Sequence, residues 1–102
     1  MQQILKPAYN EEYRLVEFAR PDGNGQLAAG ETILTASALC LDGGGNDVTS
    51  TMVLGVTPNG LTQVRYLLKG GEVGKNYRLY IRVETSGGQK LEEPFVLRIY
   101  DL

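Results

Sequence analysis

The segment Gly70-Gly71-Glu72-Val73-Gly74-Lys75 carries the glycines and the lysine of a loop that cradles phosphate. Such a loop needs four residues between its first glycine and the Gly-Lys pair, then Ser or Thr for magnesium, then a helix. Here three residues intervene, Asn76 stands where the hydroxyl belongs, and period-two alternation begins at Tyr77. A dinucleotide fingerprint would also require a helix at this point. The phosphate reading fails on spacing, residue type and context together. A tyrosine opening a strand directly after a glycine-rich connection is instead the setting of a tyrosine corner, in which the phenol bonds to backbone a few residues upstream. Tyr77 is the expected corner residue, with Gly71 and Gly74 supplying the backbone freedom.

Other chemistry is weaker still. Asp22, Asn24 and Gln26 imitate the start of a calcium loop, but Leu27 and Ile33 occupy the sixth and twelfth places, which need Gly and Glu. The lone cysteine, Cys40, lies in "ASALCL" and reads as a buried small hydrophobe, with no disulfide or zinc partner. Histidine, the commonest general base, is absent. Carboxylates such as Glu11, Glu12, Glu17, Asp42, Asp47, Glu92 and Glu93 are scattered, and nothing marks two of them as an acid–base pair. The expectation is no enzyme, no metal and no cofactor.

The elements that carry these residues are strands. The 102 residues suffice for one domain burying about two-thirds of its unfolded surface. Thirteen glycines punctuate the apolar runs. "YRLVEFAR" can be read locally as a helix capped by Asn10 or as a strand, and its neighbours favour the strand. "TILTASALCLD", "VTSTMVLGV", "LTQVRYLLK", the run from Tyr77 and "LEEPFVLRIYDL" follow as strands, with "RPDGNGQLAAGE" as a loop and Thr57-Pro58-Asn59-Gly60 as a turn. In "VTSTMVLGV", Val48, Ser50, Met52 and Leu54 would share a face. No convincing helix remains. The pattern is that of an all-β, immunoglobulin-like antiparallel β-sandwich of about seven strands over residues 13–102, preceded by an extended N-terminal arm, 1–12.

The last two strands can be registered from alternation alone. Tyr77, Leu79, Ile81, Val83 and Thr85 share one face, and Leu91, Phe95, Leu97 and Ile99 share a face of the final strand. Pairing Tyr77 with Ile99, Leu79 with Leu97 and Ile81 with Phe95 puts inward residues opposite inward residues. That leaves Gly87-Gly88-Gln89 as a three-residue loop. Glu93 falls inward, and Pro94 beside it suggests a bulge or an edge. Arg78, Tyr80 and Arg82 then point outward, joined by Arg98 and Tyr100, with Arg78 directly opposite Arg98. Facing like charges are unfavourable without an answering carboxylate. Glu84 and Glu92 could provide one on an ordinary solvated face. Tyr and Arg are equally the types enriched where proteins meet proteins. These five residues form the candidate partner-binding face.

The near balance of ten basic and twelve acidic residues argues against nucleic acid. No apolar run approaches the ~18 residues of a membrane span. The opening Met1-Gln2-Gln3-Ile4-Leu5-Lys6-Pro7 does not have the pattern of a secretory signal, so the chain reads as a cytoplasmic product.

Taken together, "GETILTASALCL", "DVTSTMVLG", "LLKGGEVGKNYRLYIRVETSGGQ" and "EPFVLRIYDL" resemble a family of small phage and prophage proteins encoded among head–tail morphogenesis genes and described as fiber–tail adaptors. The resembling positions are Gly30-Glu31-Thr32-Ile33, Val48-Thr49, Gly70-Gly71 through Gly74 to Tyr77, then Leu79, Val83, Thr85-Ser86, Gly88, Glu92, Phe95, Leu97 and Ile99. They span roughly 13–100. The aromatic that relatives often carry in the "ILTASALCL" strand is missing. The resemblance implies an immunoglobulin-like virion or tail component that meets other virion or tail proteins, with self-association, for instance in a ring, and residence in the host cytoplasm before assembly. A ligand-binding or adhesion sandwich, such as a carbohydrate-binding module, is the alternative. The lack of tryptophan and of a secretion signal counts against it.

Overall fold

A computed structural model describes residues 2–19, 27 and 30–101. The "RPDGNGQLAAGE" loop, with Asp22, Asn24 and Gln26, lies largely outside them. Seven strands and one helical turn follow in order: β1 Gln2–Pro7, β2 Glu12–Glu17, β3 Ile33–Leu41, α1 Thr49–Met52, β4 Val53–Asn59, β5 Gln63–Leu68, β6 Asn76–Thr85 and β7 Lys90–Tyr100. They form two sheets, β1-β7-β6-β3 and β2-β5-β4. All neighbouring pairs are antiparallel except β1 with β7, which run parallel. This is an immunoglobulin-like sandwich, with period-two strands burying one face each between the sheets.

The core follows the alternation. Leu79, Ile81 and Leu97 are wholly buried from the four-stranded sheet, and Val64, Tyr66 and Leu68 from the three-stranded one. Each such aliphatic side chain contributes about 1.5–3 kcal/mol on burial. The inward positions of β3 are small (Ala36, Ala38, Cys40), so the bulk of this cluster comes from residues such as Tyr66, Phe18 and Met52. Burial raises the Cys40 thiol to about 11, with Asp47 and Asp42 adding to the shift, so it is protonated and inert at neutral pH.

The extended start of the chain is a member of the sheet. Ile4, Lys6 and Pro7 of β1 are buried. The Lys6 ammonium donates to the carbonyls of Pro7 (2.9 Å), Ala8 (3.3 Å) and Gly70 (2.9 Å), tying β1 to the connection that precedes β6. Desolvation lowers its pKa, and the three carbonyls are what make the buried charge tolerable.

Four local expectations are corrected. Residues 49–52 are a helical turn and not a strand. Asp47 Oδ1 accepts from the Thr49 N–H at 2.9 Å and the Thr51 hydroxyl donates to the Val48 carbonyl at 2.9 Å; these local bonds compete with a ladder. As a result Met52 and Val53 are both buried, while Ser50 and Leu54 are exposed.

The turn expected at 57–60 begins only at Gly60. Asn59 still pairs with Gln63, and Pro58 is tolerated because β4 is an edge strand.

The β6–β7 register is displaced by two residues: Tyr77 meets Leu97, Leu79 meets Phe95 and Ile81 meets Glu93. The hairpin loop is Ser86-Gly87-Gly88, closed by Thr85 N–H to Gln89 O (2.9 Å) and Gly88 N–H to Thr85 O (3.0 Å). A three-residue loop needs a left-handed third residue. Gly88 provides it, at φ 84°, where the other register would have demanded it of Gln89. The Glu31 carboxylate packs against this loop, accepting from the Thr85 hydroxyl at 2.8 Å, and a Cβ on Gly87 would collide with it.

The ladder also runs through Pro94 without a bulge. Pro94 lies just ahead of Phe95, where the pairing with β1 begins, so its missing N–H costs no rung.

Candidate protein-binding face

The connection between β5 and β6 sets the start of β6. Tyr77 Oη accepts from the Glu72 backbone N–H at 3.1 Å, the geometry of a tyrosine corner. Gly71 (φ 93°) and Gly74 (φ 80°) are left-handed. Gly74 N–H donates to Ile99 O at 3.0 Å and Ile99 N–H to Lys75 O at 3.2 Å, so the connection extends the β6–β7 ladder by one rung. From there Arg78, Tyr80, Arg82 and Glu84 project outward.

The register arranges that outer face in rows. Ser37, Arg82 and Glu92 form one; Leu39, Tyr80 and Pro94 the next; Leu41, Arg78, Val96 and Gln3 the third; Asn76, Arg98 and Leu5 the fourth. Arg78 therefore faces Val96, and Arg98 faces Asn76: the like-charge opposition expected from alternation does not occur. Arg82 is answered by Glu92, Nε to Oε1 at 2.7 Å, and its guanidinium lies 5.9 Å from the Tyr80 ring centroid. Arg98 Nε lies 2.8 Å from the Gln3 amide, which accepts when its oxygen faces the guanidinium. Tyr100 sits past the last β6 rung, opposite Pro7 of β1, and is 40 % exposed. Arg78 makes no hydrogen bond or ion pair with any described residue. It stands exposed between the half-buried apolar side chains Leu41 and Val96, beside Tyr80.

A second surface had no place in the sequence reading. On the outer face of the three-stranded sheet, Tyr13, Leu67 and Leu54 form one row, and Leu15, Arg65 and Thr57 the next. Tyr13 is 61 % exposed, Leu15 55 % and Leu54 45 %. The Arg65 guanidinium lies 3.8 Å over the Tyr13 ring. The signal was present in "YRLVEF", which is apolar at both odd (Tyr13, Leu15) and even (Val16, Phe18) positions. Such a strand cannot hide both faces unless something covers each of them.

No three Asp, Glu or Cys side chains among the described residues could together hold a metal ion. No helix there is long and apolar enough to cross a membrane. Fold and surface thus define the class: an immunoglobulin-like module that presents arginine, tyrosine and aliphatic side chains on its sheet faces. Residues 19–98 match the family of the podophage GP4 fiber-tail adaptor protein gp77, and the chain belongs to that family. No curated protein matches it.

Proposed function

We propose that the protein is a non-enzymatic adaptor of a phage or prophage tail, made in the host cytoplasm and built into the virion through contacts with other tail proteins. The outer face of the four-stranded sheet is the docking surface, with Arg78 and Tyr80 at its centre and Arg82, Arg98 and Tyr100 around them. The observation that carries this is Arg78: an exposed guanidinium without a described partner, set among half-exposed apolar rows on a rigid two-sided ladder. An arginine so placed keeps its donors for a partner's carboxylate or carbonyls, and the surrounding apolar area supplies the burial.

The test is the double variant Arg78→Glu, Tyr80→Ala, produced in cells assembling particles. Its circular dichroism and melting should match those of the parent, and mass spectrometry should find it missing from purified particles. Undiminished incorporation of the folded variant would sink the assignment.

A further inference from the structure

The sandwich has four edge strands: β1 and β3 in one sheet, β2 and β4 in the other. Unpaired edges invite pairing with another chain, and proteins blunt them with bulges, prolines or covering groups. Three are blunted here. On β1, the Leu5 carbonyl takes Arg14 Nη2 at 2.9 Å, the Pro7 carbonyl takes Lys6 Nζ, and Pro7 has no N–H. The β3 edge is covered at Ile33 by Leu61 and at Cys40 by Val48 and the Thr49 hydroxyl, with a register shift between Ile33 and Thr35. β4 carries a register shift between Leu54 and Thr57, left-handed Gly55 (φ 61°) and Pro58.

β2 has none of these among the described residues; the first covering bond, Leu27 N–H to the Phe18 carbonyl at 2.9 Å, lies past its end. Its register with β5 is unbroken from Glu12 to Glu17. Phe18 N–H donates to Thr62 O in that same register, and hydrogen-bonded pairs alternate along an antiparallel ladder. Tyr13, Leu15 and Glu17 therefore turn their backbone N–H and C=O away from β5, toward the open side. In an immunoglobulin constant-type sandwich the first strand lies beside the second and fills that side. Here β1 pairs with β7 instead, and no described strand takes the place beside β2.

We propose that this edge pairs with β2 of a second copy of the chain, antiparallel about a two-fold axis at Leu15, joining two three-stranded sheets into one of six strands. Charge complementarity selects this occupant. Pairing about Leu15 sets Leu15 against its own counterpart and Tyr13 against the counterpart of Glu17. Arg65, stacked on Tyr13, then comes beside that carboxylate, once on each side of the axis. The Glu17 oxygens accept from the Ala19 N–H (3.0 Å) and Gln63 Nε2 (3.3 Å) and keep further lone pairs for the guanidinium. The row of Tyr13 and Leu15 continues across the junction as a shared apolar strip, which explains why an edge strand is apolar on its solvent face. This goes beyond the adaptor reading, which uses the opposite sheet.

Sedimentation velocity on the full chain over a concentration series tests it, together with amide hydrogen exchange. The expected result is a monomer–dimer equilibrium in which the Tyr13, Leu15 and Glu17 amides become protected in the dimer. Leu15→Pro removes an N–H that β5 does not use and should give a monomer. Because proline could also disturb the strand, Leu15→Lys and Leu15→Glu are made separately. Each puts like charges at the axis and should be monomeric, and mixing the two should restore a dimer. A parent monomeric throughout, a dimer surviving Leu15→Lys, or a mixture that fails to associate overturns the proposal. The Arg78→Glu, Tyr80→Ala variant should keep the dimer, so failure of the adaptor reading and failure of this one are separate results.

Discussion

The two outer faces of the sandwich handle their surface differently. On the four-stranded sheet most charges are answered within the molecule: Arg82 by Glu92, Arg98 by the Gln3 amide, and Glu84 by its position opposite Lys90. Both edges of that sheet are blunted. On the three-stranded sheet aromatic and aliphatic side chains are exposed, one arginine stacks on a tyrosine, and no described residue covers the β2 edge. The first sheet is nearly complete as a solvated surface, which makes Arg78 its exception. The second leaves apolar side chains in solvent. Fold alone does not separate these cases, since both sheets are built mainly of antiparallel ladders; the difference lies in what the register sets opposite each side chain.

The largest expected effect asks whether the sheets are equally tight inside. Cys40 lies in the four-stranded sheet and Tyr66 in the three-stranded one, and burial raises them to about 11 and about 12 from ordinary values of 9.0 and 10.0. Their folded pKa values are raised, so the stability they contribute is fully present below pH 9 and is lost as pH rises through the folded values. The loss runs over roughly pH 9–11 for Cys40 and 10–12 for Tyr66, about 3 kcal/mol each at its full extent. Lys6 works against this trend. Its folded pKa lies below 10.5, so its charged form weighs on the fold at neutral pH, and that cost is relieved as pH rises through the lowered value toward 10.5. Urea unfolding from pH 8 to 12 should show a net loss, reduced above pH 10 in Tyr66→Phe, where only the Cys40 share up to about pH 11 remains. An unchanged alkaline slope in that variant would mean the three-stranded sheet admits solvent to the phenol.

Next in size is the corner that couples the sheets. A Cβ on Gly71 would lie 2.6 Å from Ile99 Cγ1 and 2.7 Å from Cδ1, at φ 93°. Gly71→Ala should therefore lose about 3 kcal/mol, from strain plus overpacking against β7. Gly74 is also left-handed, but a Cβ there meets nothing within 4 Å, so Gly74→Ala should lose only about 1 kcal/mol. Equal losses in chemical denaturation would remove the argument that the β7 contact, rather than φ alone, sets the first value.

Smallest is the exposed ion pair. Arg82→Ala should change stability by less than about 0.5 kcal/mol, because the Arg82 and Glu92 side chains are 51 % and 41 % exposed. A loss several times larger would mean that this face is rigidified by its charges and not by the ladder beneath.

Much of the fold was legible because its signals are local. Alternation from Tyr77 to Thr85 is a property of the strand itself, and the glycines before Tyr77 mark a place where the backbone must go left-handed whatever packs beside it. Register was less so. Sliding β7 by two residues keeps every inward side chain inward, so alternation cannot choose between the two pairings. The choice fell to the one loop position that must be glycine. The candidate face inherited that error in part: its residues do point outward together, but the arginine opposition was an artefact of the displaced register.

By itself, then, the sequence determined the class of the protein. Period-two strands, turn glycines, the Tyr77 corner and the absence of histidine follow from residue type and spacing. Tertiary structure decided what lies across from what. Arg78 is unanswered because Val96, and not a carboxylate, falls opposite it. Residues 49–52 turn because Asp47 and Thr51 find backbone partners there. No described strand covers the edge of β2 because β1 pairs with β7 along its whole length, where Lys6 also bonds the Gly70 carbonyl. Such outcomes compare contacts between segments distant in the chain, and no local pattern records that comparison.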